Sequence, residues 1–318
     1  MVRIFFACDA HGSNIVWKKC INAATNYKAD VVMLCGDLTG KAIIPVVKVK
    51  ENEWYIKPFG KVEKFNSIDA LKKRLEIFHN QGYYSFETTE EEIEEFRRDP
   101  KKVDEIFKKL MMERLDEWLR LAEERVPKNV KIIVSPGNDD ILEIDEVIKA
   151  HEDRIIYPLK KVVMIDDKHP MISYEYVNPT PWETPRELDE KKLYKELKKE
   201  FDRAGDSELL ICNFHAPPYD TPLDLAPKLD KNQKVVTRID GTPIMEHVGS
   251  RAVRKIFEER QPLLGLHGHI HESPGRCQIG RTLCINPGSD YQASILRGYV
   301  IDMPKDPKEE INAWQIEG

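Results

Sequence analysis

Residues 2–11 read VRIFFACDAH, an apolar run that stops on a carboxylate and an imidazole two positions apart. A short stretch of β-branched and aromatic residues without polar alternation predicts a strand buried on both faces, as in sheets covered by helices. The pattern returns four times. VVMLC runs into Gly36-Asp37, KIIV into Ser135-Pro-Gly-Asn138, LLIC into Asn213-Phe-His215, and LLGL into His267-Gly-His269. Five strands ending in loops that carry Asp, Asn or His would bring those side chains to one edge of an α/β sheet. Helical patterns lie between them, such as residues 250–259, where Val253, Ile256 and Phe257 share a face. The last third adds RCQI, TLCIN and RGYVID in succession, which implies mixed rather than purely parallel pairing. The expected architecture is two mixed sheets flanked by helices.

The chain has 318 residues, a charged fraction of 33% and a net charge of −6. No basic stretch is dense enough to draw a polyanion by counterion release, so nucleic acid is not an expected partner. The opening apolar run lacks the length and flanks of a signal peptide or membrane span, which predicts a cytoplasmic protein with no membrane partner. The six cysteines show no paired CxxC spacing, and they are expected to be reduced. Cys8, Cys35 and Cys212 fall inside strand-like runs and act as small hydrophobes. A two-residue turn at Gly280-Arg281 would set Cys277 opposite Cys284, without requiring a disulfide.

Residues 1–318 read as one domain with a helical insertion at about 41–128. The insertion begins with the strand-like, Lys-rich VVKVKENEWYIKPFGKVEKF and continues into three helical stretches. Ile68, Leu71, Leu75 and Phe78 form a stripe, and Thr88-x-x-Glu91 resembles a capping box. Asp99 and Pro100 open the third helix, in which Val103, Phe107, Leu115, Trp118, Ala122 and Val126 share a face. These faces are expected to pack on the core; a lid or a homodimer contact is the alternative. The proline-rich Asn178-Pro-Thr-Pro-Trp-Glu-Thr-Pro predicts an ordered loop, followed by a charged helix near residues 187–201.

A lone Asp-x-His carries little information; the combination does. Asp9, His11, Asp37, Asn138, His215, His269 and His271 supply carboxylate, imidazole and amide oxygen but no thiolate. That donor set suits hard or borderline divalent ions, manganese first, with iron, zinc, nickel or cobalt as alternatives. Seven ligands are too many for one tetrahedral zinc and suit two ions sharing a carboxylate. His267 reads as a core histidine, His79, His151 and His169 as surface residues, and His247 as a loop residue able to approach the site.

In order and context these residues resemble the calcineurin-like metallophosphoesterase superfamily, whose signature runs Asp-x-His, Gly-Asp, Gly-Asn, a lone His and Gly-His-x-His. The segments HAPPYDTPLD, HVGSRAVRKIFEERQP and Asn286-Pro-Gly-Ser289 are similar to those of its small prokaryotic phosphodiesterases. The resemblance implies a four-layer αββα sandwich of two mixed β-sheets flanked by helices. It also implies one divalent ion on Asp9, His11 and His271, a second on Asn138, His215 and His269, and Asp37 bridging them. Attack of a metal-bridging water on phosphorus would follow. One position departs: the family pattern Gly-Asn-His-Asp/Glu is here Gly137-Asn138-Asp139-Asp140. The missing histidine contacts phosphate and protonates the leaving oxygen, which leaves Asp139 as the candidate acid beside the catalytic Asn138. Phosphodiesters are then expected over monoesters, with a small phosphoester such as a nucleotide as substrate. Two alternatives stay open, a non-catalytic or weakly catalytic metal-binding scaffold of the same fold, and a nuclease.

Overall fold

Val2–Ala7 (β1) shows why its run is apolar throughout. Phe5 and Ala7 enter a cluster with helical residues on one side, and Val2, Ile4 and Phe6 enter a second cluster on the other. The computed structural model describes residues 1–318. From β1 the chain runs through α1 (Asn14–Asn26) and β2 (Val31–Cys35). It then makes an excursion through β3 (Ala42–Lys50), β4 (Glu53–Ile56), β5 (Glu63–Phe65), α2 (Ile68–Asn80), β6 (Tyr83–Thr88), α3 (Glu90–Arg98) and α4 (Pro100–Arg125). It returns through β7 (Lys131–Ser135), α5 (Ile144–Lys149), β8 (Ile155–Ile156), β9 (Val163–Met164), β10 (Pro170–Tyr174), α6 (Glu190–Ala204) and β11 (Ile211–Phe214). The remainder is β12 (Leu225–Pro227), β13 (Met245–His247), α7 (Arg251–Arg260), β14 (Leu264–Leu266), β15 (Gly275–Ile279), β16 (Thr282–Asn286), β17 (Arg297–Met303) and β18 (Asn312–Glu317).

Two six-stranded sheets result, in the orders β18-β17-β1-β2-β7-β8 and β15-β16-β14-β11-β10-β9. Both are mixed. In the first, β1, β2, β7 and β8 run parallel and β17 antiparallel to β1. In the second, β10, β11, β14 and β16 run parallel between antiparallel edges β9 and β15. Ile4, Met33, Ile133 and Ile301 of one sheet meet Met171, Ile211, Leu264 and Ile285 of the other in one apolar layer. The outer face of the first sheet is covered by α1, α4 and α5, and that of the second by α6 and α7. The fold is a four-layer αββα sandwich, because each sheet has two apolar faces to bury and only a sheet and helices to bury them against. No helix is long and apolar enough to cross a membrane.

The excursion holds four strands and three helices. Its strands form a separate sheet in the order β5-β4-β3-β6, packed on α2 through Ile44, Val46, Trp54, Ile56, Leu71 and Phe78. Ile68 lies at the start of α2 and is exposed. The capping box is one residue later than the sequence reading: β6 extends through Thr88, so Thr89 caps α3 and accepts from Glu92 N, while Glu92 accepts from Thr89 N. Asp99 precedes Pro100 at the start of α4 without making a side-chain cap bond. The long helix α4 joins the outer layer of the sandwich. Trp118 stacks on Trp17 at 5.3 Å between ring centroids, donates from Nε1 to Asn14 Oδ1 at 2.7 Å, and accepts at its carbonyl from Trp17 Nε1 at 2.8 Å.

The other expectations divide. The charged helix begins at Glu190 rather than near 187, because Asp189 accepts from Lys192 N as its N-cap. Cys277 and Cys284 do pair across a hairpin, and both are free thiols. His169 is fully buried rather than at the surface, with Nδ1 on Asp166 Oδ1 and Nε2 on the Pro304 carbonyl.

Candidate metal centre

The loops after β1, β2, β7, β11 and β14 leave the same edge of the sandwich, since these strands are parallel neighbours within their sheets. Backbone bonds zip the loops together: Asp9 N to the Gly36 carbonyl (3.0 Å), His11 N to the Asp37 carbonyl (2.9 Å), Gly36 N to the Ser135 carbonyl (2.8 Å), and Gly268 N to the His215 carbonyl (3.1 Å). Glycine is required at 36, where a Cβ would lie 2.2 Å from His215 Nδ1 and φ is +102°. Four chemically important residues also hold left-handed backbones, Asp9 (φ 54°), His11 (42°), Asp37 (39°) and His269 (68°). Such conformations cost about 1–3 kcal/mol each in non-glycine residues and collect at functional sites.

All seven candidate ligands converge at this edge. The donor atoms of Asp9, His11 and His271 lie within 4.8 Å of one another, and so do those of Asp37, His215 and His269. Asn138 joins the second set, its Oδ1 3.1 Å from His215 Nε2. Asp37 lies between the sets, with Oδ2 3.7 Å from His11 Nε2 and Oδ1 3.4 Å from His215 Nε2. A third group, His11, Asp37 and Asp139, also falls within 4.8 Å.

Three buried polar atoms lack hydrogen-bond partners here, Asp9 Oδ1, His11 Nδ1 and His215 Nδ1. An unpartnered buried carboxylate oxygen is expensive unless a cation meets it. His11 Nε2 and His271 Nε2 face each other at 3.1 Å, an approach that two ring nitrogens make readily when both point at one ion. Burial pushes the imidazoles of His11 and His269 well down, the latter to about 3, so both are neutral with free lone pairs. Burial also acts to lower His215, but the charges of Asp37, Asp9 and Asp140 outweigh it and raise the ring to about 9. Burial opposes ionisation of Asp37, yet His215, His11 and Lys41 hold its carboxyl well below the usual range. The residues fit a site for divalent cations.

A supporting shell fixes these ligands. Asp140 Oδ2 accepts from Leu38 N and Gly137 N, and its Oδ1 from Thr39 N and Thr39 Oγ1, at 2.6–2.9 Å. The loop of Asp37 is thereby tied to the loop of Asn138. From the other side, Asn138 Nδ2 donates to Thr184 Oγ1 at 2.9 Å, and Thr184 Oγ1 donates to Glu187 at 2.6 Å. This leaves Asn138 Oδ1 turned toward His215. Fully buried Arg186 bonds the carbonyls of Asp140 and Ile141 and pairs with Asp145 at 2.7 Å.

Asp139 donates its amide to Asp37 Oδ1 at 2.9 Å, and its carboxylate pairs with Lys41. Burial and then the charge of Asp37 raise its pKa to about 6, against the pull of Lys41. The sequence reading did not single out Lys41, Thr184 or Arg186; the arginine that ends the proline-rich stretch was the one available sign. Of the other histidines, His267 is buried with Nδ1 on the carbonyls of Phe214 and Ala216. His247 pairs instead with Asp224 at 2.7 Å.

No family model matches the chain. An uncharacterized protein of Methanocaldococcus jannaschii is 30% identical over 160 residues, which is 50% of this chain and 64% of that protein. The chain thus spans somewhat less than two thirds of this relative's length. A crystal structure of the Thermus thermophilus protein TT1561 superposes with a TM-score of 0.55 at 13% identity, over 98% of both chains. A second crystal structure does so with 0.57 at 18% identity, again over 98% of each. At these identities the likeness is one of fold, and it extends over nearly the whole chain.

Proposed function

We propose that the chain is a dinuclear metal-dependent phosphodiesterase acting on small esters such as those of nucleotides. One observation carries the reading: two donor sets meet at one strand edge with Asp37 between them, and the buried Oδ1 of Asp9 has no hydrogen-bond partner. Asp9, His11 and His271 would hold one ion, Asn138, His215 and His269 the other, and Asp37 would contact both. Two divalent ions so held would lower the pKa of a shared water and neutralise charge on the phosphoryl oxygens. Manganese suits the oxygen and imidazole donors, and zinc or iron are the nearest substitutes.

The chain's own groups orient and tune. Thr184 keeps the Asn138 oxygen directed inward, and Asp140 keeps the two loops in register. With a pKa of about 6, Asp139 is mostly ionised and paired with Lys41 at pH 7 and above, so only a minority of molecules hold its proton ready for a departing oxygen. General-acid assistance is typically worth about 10²- to 10⁴-fold, and its weakness favours esters whose leaving group needs no proton. Aryl phosphodiesters should therefore turn over faster than alkyl monoesters. The net charge of −6 fits a small anionic substrate better than a long polyanion.

The test is metal analysis of protein purified without added metal, followed by assays with Mn²⁺ on bis(p-nitrophenyl) phosphate and on alkyl monoesters. Metal-dependent diester hydrolysis supports the proposal. Bound metal without turnover on any ester would instead identify a metal-binding scaffold.

A further inference from the structure

We propose that Lys41, steered by Asp139, is the side chain that binds the phosphoryl group of the substrate at this centre; the inference rests on the phosphodiesterase reading and deepens it. Lys41 stands just before β3, at the point where the chain leaves the Asp37 loop for its excursion. The residue before it is anchored from the excursion's own sheet, because Gly40 N donates to the hydroxyl of Tyr84 in β6 at 3.0 Å. The ammonium meets Asp139 Oδ2. The Asp139 carboxylate in turn has a donor atom within 4.8 Å of those of His11 and Asp37. The cation therefore sits one carboxylate away from the candidate ligands.

Its exposure separates this pair from a buried structural brace. The Lys41 side chain is 51% exposed while that of Asp139 is 17% exposed, so the carboxylate faces the centre and the ammonium faces the opening. An ammonium has three donors; one is used on Asp139, and the others are free for oxygens arriving from solvent. The charge of Lys41 acts on His11, Asp37, His269 and Tyr291, which spans both donor sets. A lysine is suited to a phosphoryl group as a compact point charge that needs no fixed plane. A merely structural surface ion pair would contribute little, and it would leave anion binding unchanged when removed.

The experiment compares wild type, Lys41→Met, Lys41→Arg and Asp139→Asn, each loaded with Mn²⁺. Bound metal is measured first, then calorimetric titration with inorganic phosphate as the probe. A charge-assisted hydrogen bond predicts that Lys41→Met weakens phosphate binding by roughly 10- to 100-fold, with metal content unchanged. Lys41→Arg should keep most of the affinity. Asp139→Asn, which releases the ammonium without removing it, should stay closer to wild type than Lys41→Met does. Phosphate affinity in Lys41→Met within about twofold of wild type would overturn the proposal on that scale. So would a parallel loss of metal, or greater loss in Asp139→Asn. Assay of wild type on bis(p-nitrophenyl) phosphate separates the two readings. An active wild type with an indifferent Lys41→Met sinks the Lys41 assignment alone. An inactive wild type whose phosphate affinity depends on Lys41 sinks the phosphodiesterase reading and leaves the anion site standing.

Discussion

Replacing Asp140 with alanine would strip four donors of their acceptor at once: the amides of Leu38, Thr39 and Gly137, and the Thr39 hydroxyl. The hydroxyl can rotate to another partner, but the three amides are fixed by their loops. Each buried, unsatisfied amide costs about 1–3 kcal/mol, which gives roughly 3–9 kcal/mol before relaxation. Two effects reduce this. Water can enter the space left by the carboxylate, and the carboxylate is itself costly, since burial and the charge of Asp37 raise its pKa. A net loss of about 3 kcal/mol is expected, at the low end of that range. It would be a large part of the roughly 5–15 kcal/mol by which a typical domain is stable. Urea unfolding of the metal-free protein reads the loss, and Mn²⁺ titration reads its consequence for the loops of Asp37 and Asn138. Asp140→Asn retains one acceptor oxygen, hence one of the two donor pairs, and should lose about half as much. A loss in Asp140→Ala below about 1 kcal/mol, with metal uptake unchanged, would refute the idea that this carboxylate holds the loops together.

Asp37→Ala should empty both donor sets while Asn138→Ala weakens one, because Asp37 lies between them and Asn138 meets only the set of His215; equal metal content in Asp37→Ala and wild type would reject the shared role. Trp118→Ala should cost about 3–5 kcal/mol in thermal or denaturant unfolding, since it removes a buried stack and the anchor to Asn14. Burial raises the Glu175 carboxyl from 4.5 to about 6 despite Arg186 nearby. Because the folded-state value is the higher one, its contribution is fully present below pH 4.5 and is lost as pH rises through about 6. Glu175→Gln should flatten that part of the stability profile and gain up to roughly 2 kcal/mol at neutral pH; an unchanged profile would count against the assignment.

The sandwich was legible because strands buried on two faces cannot hide their apolar runs, and each run ended where a ligand loop began. The excursion was harder to read. Its opening stretch read as strand-like, but not where one strand ends and the next begins: Glu53–Ile56 and Glu63–Phe65 are only a few residues long, and the pairing of β4 with β3 and of β5 with β4 sets their bounds. His169 looked exposed because its chain neighbours are charged, but its partners include a carbonyl far away in sequence at Pro304. The candidate ligands could be picked out one loop at a time. Lys41 and Thr184 could not, since each is tied to the ligand loops by one contact, with Asp139 and with Asn138, that leaves no spacing in the sequence.

The left-handed backbones at Asp9, His11, Asp37 and His269 bear on how this sequence can drift. Glycine would relax each position by removing the Cβ clash, so a search that rewarded stability alone would find gains at these four sites and would erase four candidate ligands in taking them. Most routes to a sturdier protein leave function neutral or diminished; here four of the thirteen non-glycine residues with positive φ lie in the donor set. A laboratory selection for heat resistance, run without any demand for metal binding, would make that conflict visible as glycine accumulating at the strand edge.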